Sequence, residues 1–292
     1  MTDPYAIDWD SSRDHLRDNA RNDADWNAVV ASRLVRPTDR LAVDVGCGGA
    51  GMAIAIAHAL PTDAAVIAID GSAEVLEGAK ENARAAQLSQ ERLAFRQCDL
   101  HGGLTELRAA VTEPVDLVWA SASVHHVGDQ QAAIDQLASL LADDGRLALA
   151  EGGLPPRRMP WDVGVGRPGL ELRLDAANDE WFVQMRGGLP GSKPMPYGWT
   201  EALRRAGLRE VTTFSVLIEK PAPLDANDRA HVLDSIEHRV QRSADSGSVD
   251  ADDLASWQRL LDRDDPAWLG HRDDLFLLDV RSIHLGAKRS RR

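Results

Sequence analysis

Cysteine is almost missing from this sequence: 292 residues hold only Cys47 and Cys98, with no C-x-x-C pair and no Cys/His spacing of a zinc site. A disulfide framework and a structural metal are therefore not expected, and a reducing cytoplasm suits the chain. Long apolar runs are missing too. No stretch reaches 18 consecutive apolar residues, and the first residues lack the basic region and hydrophobic run of a signal peptide. Basic side chains are in deficit, 33 against 46 acidic ones, for a net charge of −13. That field repels polyanions, which argues against nucleic acid and anionic membrane surfaces as partners. Tyrosine and phenylalanine are scarce at two and four, yet there are eight tryptophans. Hydrophobic residues at 43% and charged residues at 27% are those of an ordinary globular protein, long enough for one large domain or two small ones.

Short apolar runs alternate with helical patterns. Residues 11–35 carry Trp26, Val29, Val30 and Leu34 at helical spacing, and Pro37 closes the segment. The runs at 40–46, 64–70, 93–99, 115–120 and 146–151 read as buried strands; 51–60, the segment after Ser72, 104–111 and 129–141 read as helices. This alternation predicts a doubly wound α/β sheet of Rossmann type. From 152 to 199 the texture turns rich in Gly, Pro and Arg, with a helix expected over 169–186. Further on, 199–206, 225–242 and 250–262 read as helices and 211–219 and 275–285 as strands. The basic tail from Lys288 reads as a solvated end.

The sharpest motif is VDVGCGGAG at 43–51. Gly46, Gly48 and Gly51 form G-x-G-x-x-G at a strand-to-helix junction, where the backbone must turn tightly against a ligand. Asp70 ends the next strand nineteen residues beyond Gly51, where a carboxylate can hold ribose hydroxyls. These features suit a dinucleotide as well. Two others do not: Asp44 puts a carboxylate where a dinucleotide-binding strand carries an apolar side chain, and Asp99 with Leu100 can read an exocyclic amine while packing on a purine face.

Five ordered motifs, VDVGCGGAG at 43–51, AIDGS at 68–72, QCDL at 97–100, DLVWASASVHH at 116–126 and LADDGRLALAE at 141–151, make the chain resemble a class I S-adenosylmethionine-dependent methyltransferase. The match covers residues 41–151, and the overall pattern resembles bacterial enzymes that modify natural products. The resemblance implies a seven-stranded sheet with an antiparallel last strand. It implies S-adenosyl-L-methionine as cofactor and S-adenosyl-L-homocysteine as product. It also puts Asp44, Gly46 and Gly48 around the methionine moiety, Asp70 on the ribose hydroxyls, Asp99 and Leu100 at adenine, and Ala120 and Ser121 near the methionine end, with Gly71, Ser72 and Cys47, a small filler of the glycine loop, also in the cofactor site. On this reading 1–36 is an N-terminal helical cap, 37–151 the cofactor-binding core, and 152–199 an inserted lid over the acceptor. Residues 200–292 complete the sheet around a helical insertion at 221–273.

Methyl transfer needs alignment and, for many acceptors, a proton acceptor. His125 and His126 follow the fourth strand; they act as base, with His125 preferred, or only shape the loop. Metal-assisted transfer is disfavoured, because Ala120, Ser121 and Ala122 stand where metal-binding carboxylates would be needed. Of the fourteen aromatics only Phe95 and Trp119 lie within 37–151. Tyr5, Trp9, Trp26, Trp161, Trp181, Met185 and Tyr197 are candidates for the acceptor wall, which suits a small aromatic or heteroaromatic, indole-like molecule. Arg157, Arg158, Arg173 and Arg186 could meet an acidic group on it. A nicotinamide-dependent oxidoreductase and a non-catalytic cofactor-binding protein remain as alternatives, and the helical N-terminal arm suits a homodimer contact as well as a cap.

Overall fold

The computed structural model describes residues 5–100 and 103–290. Seven strands form one sheet: β1 Leu41–Val45, β2 Ala65–Asp70, β3 Leu93–Gln97, β4 Val115–Ser121, β5 Leu141–Arg157, β6 Arg209–Lys220 and β7 Leu277–Ala287, in the order β3-β2-β1-β4-β5-β7-β6. β1 through β5 pair in parallel, so each is reached by a helical crossover. The strand order reverses between β1 and β4, and such a switch point opens a crevice at the strands' carboxyl ends. One backbone and one side-chain contact fix the direction of β7. The Lys288 N–H donates to the Gly145 carbonyl and the His284 ring Nε2 to the Glu151 carbonyl, so β7 advances as β5 recedes, and the side-chain pairs Thr213–His284 and Ser215–Ser282 show the same for β6.

The helices are α1 Arg13–Asn22, α2 Ala24–Leu34, α3 Gly51–Ala59, α4 Ala73–Ala85, α5 Gly103–Ala110, α6 Gln130–Ser139, α7 Leu170–Gly188, α8 Trp199–Arg205, α9 Ala226–Asp245 and α10 Ala251–Leu261. Ser72, Asp129, Asp225 and Asp250 begin α4, α6, α9 and α10 by accepting a backbone N–H of the first turn. Among the described residues no helix is long and apolar enough to cross a membrane.

The chain divides into two compact units. The first comprises Asp8–Gly152, Leu189–Val216 and the chain from Arg281, and holds the parallel strands. Its core joins Val43, Val118, Leu147 and Leu149 of the strands to Ile134 and Leu137 of α6. Each such side chain contributes about 2 kcal/mol of transfer free energy. Arg146 is buried here with its charge matched, donating to Asp39 at 2.5 Å and to the Leu34 carbonyl at 2.8 Å. The second unit comprises Gly153–Gly188, Leu217–Val280 and residues 5–7, with a core of Leu174, Ile236, Trp257 and Leu260 between α7, α9 and α10.

Several boundaries differ from the sequence expectation, most of all at β5, which runs Leu141–Arg157 instead of 146–151. The helix expected over 129–141 stops at Ser139, because Leu141 pairs with Val115 as the first residue of β5. The next pair is Leu117 with Arg146, so the Asp-Asp-Gly segment is a bulge in the strand, with Asp144 at φ 62°. The 152–199 insert is also divided, since residues up to Gly188 fall in the second unit and those from Leu189 in the first.

Candidate active site

The carboxyl ends of β1, β2 and β3 bring three acidic residues to one crevice. Gly46 leaves β1 at φ 69°, and a Cβ there would lie 2.5 Å from that of Ser123, so this turn admits only glycine. Asp70, at the end of β2, accepts from the Gly48 N–H at 3.0 Å and the Ser72 N–H at 3.1 Å, which ties the glycine turn to the start of α4. Burial pushes the Asp70 carboxyl up, those N–H groups oppose it, and Asp99 adds repulsion. Asp44 lies inside β1 at 2% exposure, and burial raises its carboxyl to about 7, with Asp70 contributing against the Ala53 N–H. The Cys47 thiol is pushed well above its ordinary value by burial and by Asp44 and Asp70, which leaves it an unreactive filler. Gly71 lies against Asp99, while Leu100 packs on the edge of the core and Ala120 is fully buried at the end of β4 beside Ser121.

The glycine run has a second use that the motif did not reveal. A side chain at Gly49 would strike the Leu16 carbonyl oxygen and lie 2.7 Å from Ala20 Cβ; one at Gly51 would lie 2.6 Å from Asn27 Nδ2. These two glycines therefore admit α1 and α2 against the loop. Asn82 of α4 fastens the arrangement, donating to the Gly49 carbonyl at 2.8 Å and the Arg17 carbonyl at 3.0 Å. Ser72 donates to Asp10 at 2.7 Å just ahead of α1. Neither Asn82 nor Asp10 carried a sequence signal.

The 3-10 turn Val124–His126 follows β4. His125 Nδ1 lies 2.6 Å from Glu151 Oε2, and Glu151 is 2% exposed at the point where β5 leaves the parallel sheet. The other carboxylate oxygen, Oε1, accepts from the N–H groups of Ser123 at 3.1 Å and Val124 at 2.9 Å. A carboxylate oxygen accepts, so Nδ1 is the donor in this pair. The His126 ring lies 4.1 Å from that of His125, tilted by 51°, and receives Trp9 edge-on at 4.9 Å. The one sequence signal of Glu151 is a lone charge closing the apolar run of its strand.

The aromatic candidates separate. Trp9 is 40% exposed beside His126. Trp26 is instead buried at 6% against Trp119, with the Arg281 guanidinium over its ring at 4.8 Å; it is a core residue of the first unit. Tyr197 donates to Gln131 at 3.1 Å under the Arg205 guanidinium. In the second unit, Trp181 and Met185 are buried at 4% and 3%, Trp161 stands 68% exposed, and Tyr5 is half-buried. Of the arginines considered for an acidic group, Arg157 pairs with Asp175, Arg158 with Glu171 and Arg173 with Asp253.

The crevice suits a nucleoside that brings a cation. Asp70 adds to the cost of ionising Asp44 and Asp99 to that of Asp70, and a positive group relieves this whereas a pyrophosphate would worsen it. Residues 40–161 match the family model described as a methyltransferase domain. The chain is 34% identical over 208 residues to 27-O-demethylrifamycin SV methyltransferase of Amycolatopsis mediterranei, covering 64% of this chain and 74% of that one. It is 33% identical over 180 residues to trans-aconitate 2-methyltransferase of Methylobacterium radiotolerans, covering 52% of this chain and 63% of that one, so the chain spans less than two thirds of this relative. Among solved structures, an O-methyltransferase family protein from Burkholderia thailandensis shares the fold at TM-score 0.52 and 14% identity, over 96% of this chain and 60% of that one. A Bacillus halodurans protein described as a methyltransferase does so at TM-score 0.50 and 14% identity, over 92% and 100%.

Proposed function

The chain belongs to the class I S-adenosylmethionine-dependent methyltransferases, and on that premise we propose that it methylates a hydroxyl group of a small aromatic or heteroaromatic acceptor. The observation that carries this reading is the His125–Glu151 pair. A base held this firmly is of use where the acceptor must lose a proton.

S-adenosylmethionine supplies a methyl group already activated on a sulfonium, so the protein's task is alignment and proton removal. Asp44 would hold the ammonium group, Asp70 the ribose hydroxyls, and Asp99 with Leu100 the adenine, following the family pattern at these positions. His125 Nε2 accepts the acceptor's proton as the oxygen takes the methyl group. Glu151 then faces an imidazolium across 2.6 Å, and its carboxylate cannot swing away because Ser123 and Val124 hold its other oxygen. Trp9, edge-on to His126 and partly exposed, offers a flat apolar surface beside the base. A natural-product acceptor is supported by the Amycolatopsis relative, which acts on a demethylrifamycin.

The test is transfer of labelled methyl from S-adenosylmethionine into a panel of hydroxyindoles, phenols, aryl amines and carboxylic acids. Label is expected in hydroxyl acceptors, with His125→Ala slowing turnover about 100-fold or more. Label confined to amines or acids, or full activity in His125→Ala, would sink the hydroxyl reading. Cofactor binding with no labelled acceptor at all would favour a binding protein over an enzyme.

A further inference from the structure

The second unit holds buried positive charge that its own acids do not match. On α7, Glu171, Asp175 and Asn178 fall on one face; on α9, Arg239, Arg242 and Ser243 stand at i, i+3 and i+4 and share a face as well. The faces meet, Arg239 donating to Asp175 and Arg242 to Asn178. Arg158, at the end of β5, takes both oxygens of Glu171, at 3.2 Å through its N–H and 3.3 Å through Nη1. Asp175 is shared, because Arg157 also reaches it at 2.5 Å. Around this cluster the guanidiniums of Arg158, Arg239 and Arg242, with that of Arg157 36% exposed at its edge, meet three carboxylates, those of Glu171, Asp175 and the buried Asp279.

Arg242 is the residue left over. Its partners among the described residues are an amide oxygen and the Trp181 ring, 4.4 Å beneath the guanidinium, and no carboxylate offsets its charge. Burial and the neighbouring Arg239 push it down to about 10. Four donors stay unmatched in the same cluster: Arg158 Nε, Arg239 Nη1, Arg242 Nε and Ser243 Oγ are buried without a hydrogen-bond partner. Native interiors rarely leave one such group unsatisfied, and unmatched donors together with one surplus positive charge describe a site for an anion.

We propose that the face between α7 and α9 in this unit binds a small carboxylate, held by Arg239, Arg242 and Ser243. One negative charge balances the surplus, and the planar carboxylate matches the guanidinium fork. The proposal concerns this unit alone and stands apart from the methyl-transfer reading. Arg158 and Arg157, two of the four arginines that could meet an acidic group, are paired internally and frame the site rather than supply its free charge.

The test is equilibrium binding of benzoate, benzamide and inorganic phosphate to the full chain, by calorimetry and by shift of melting temperature. Benzoate is expected to bind saturably at one site and benzamide at least about tenfold more weakly. Arg242→Met should lose benzoate binding at least about tenfold while its ligand-free melting temperature stays level or rises, because an unmatched buried charge is removed. Ser243→Ala, which only deletes an unsatisfied hydroxyl, should weaken benzoate about threefold and keeps the test decisive if Arg242→Met fails to fold. Arg204→Gln, on the exposed surface of α8, should bind as the parent does. The proposal is overturned if benzoate does not saturate, if benzamide binds equally, or if both site variants bind benzoate unchanged. Tighter binding of phosphate than benzoate would overturn the assignment to a carboxylate.

Discussion

Asp44 should make cofactor binding depend on pH. Its carboxyl is fully enclosed and titrates near 7 instead of 3.8, chiefly because burial penalises the charged form. At about 1.4 kcal/mol per tenfold change in proton affinity, the rise from 3.8 to about 7 biases the folded chain by about 4 kcal/mol toward the protonated acid. The sign follows from linkage. With the folded pKa above the unfolded one, the folded state binds the extra proton, so this stabilisation is complete below about pH 4 and is lost as pH rises through about 7. A bound ammonium group has the opposite preference and draws the carboxylate form. S-adenosylhomocysteine should therefore bind with release of a proton below pH 7, its affinity rising about tenfold per pH unit between about 5 and 7 and levelling above. Calorimetry in two buffers of different ionisation enthalpy counts that proton directly. Asp44→Asn keeps an oxygen for the Ala53 N–H, so it should flatten the profile, weaken the ligand and stabilise the ligand-free protein at pH 8 by up to about 4 kcal/mol. A flat affinity profile in the parent, or an unchanged slope in Asp44→Asn, would refute the reasoning.

Glu151→Gln keeps an oxygen for the Ser123 and Val124 N–H groups but presents an amide to His125. The imidazole then turns Nδ1 into the acceptor and moves its proton to Nε2, which removes the base. Turnover should fall about 10²- to 10⁴-fold with little loss of stability, and ¹⁵N spectra of the histidine should show the changed tautomer; an unchanged spectrum would defeat this account. Gly49→Ala drives a methyl group into the Leu16 carbonyl and Ala20 of α1. It should cost about 1–3 kcal/mol in urea denaturation and speed proteolysis within α1, and a stability equal to the parent's would show that α1 does not press on the loop.

Sequence alone determined the order of strands and helices in the parallel half of the sheet and the carboxylates at its ends. Continuous apolar runs such as LAVDV, glycines at a strand end and Asp at the close of the next strand are local patterns, and local patterns are written in sequence order. The bulge at Asp144 hid the true start of β5, because a D-D-G segment reads as a turn wherever strand pairing is not visible. The tertiary structure decided everything that joins distant residues. Glu151 meets His125 across 26 positions, Asn82 closes on the Gly49 carbonyl across 33, and Arg242 meets Asn178 across 64. No periodicity links such pairs. Whether a buried charge becomes a base's anchor, a core ion pair or an unmatched cation depends on which oxygen folding brings within about 3 Å, and that distance exists only once the chain has closed.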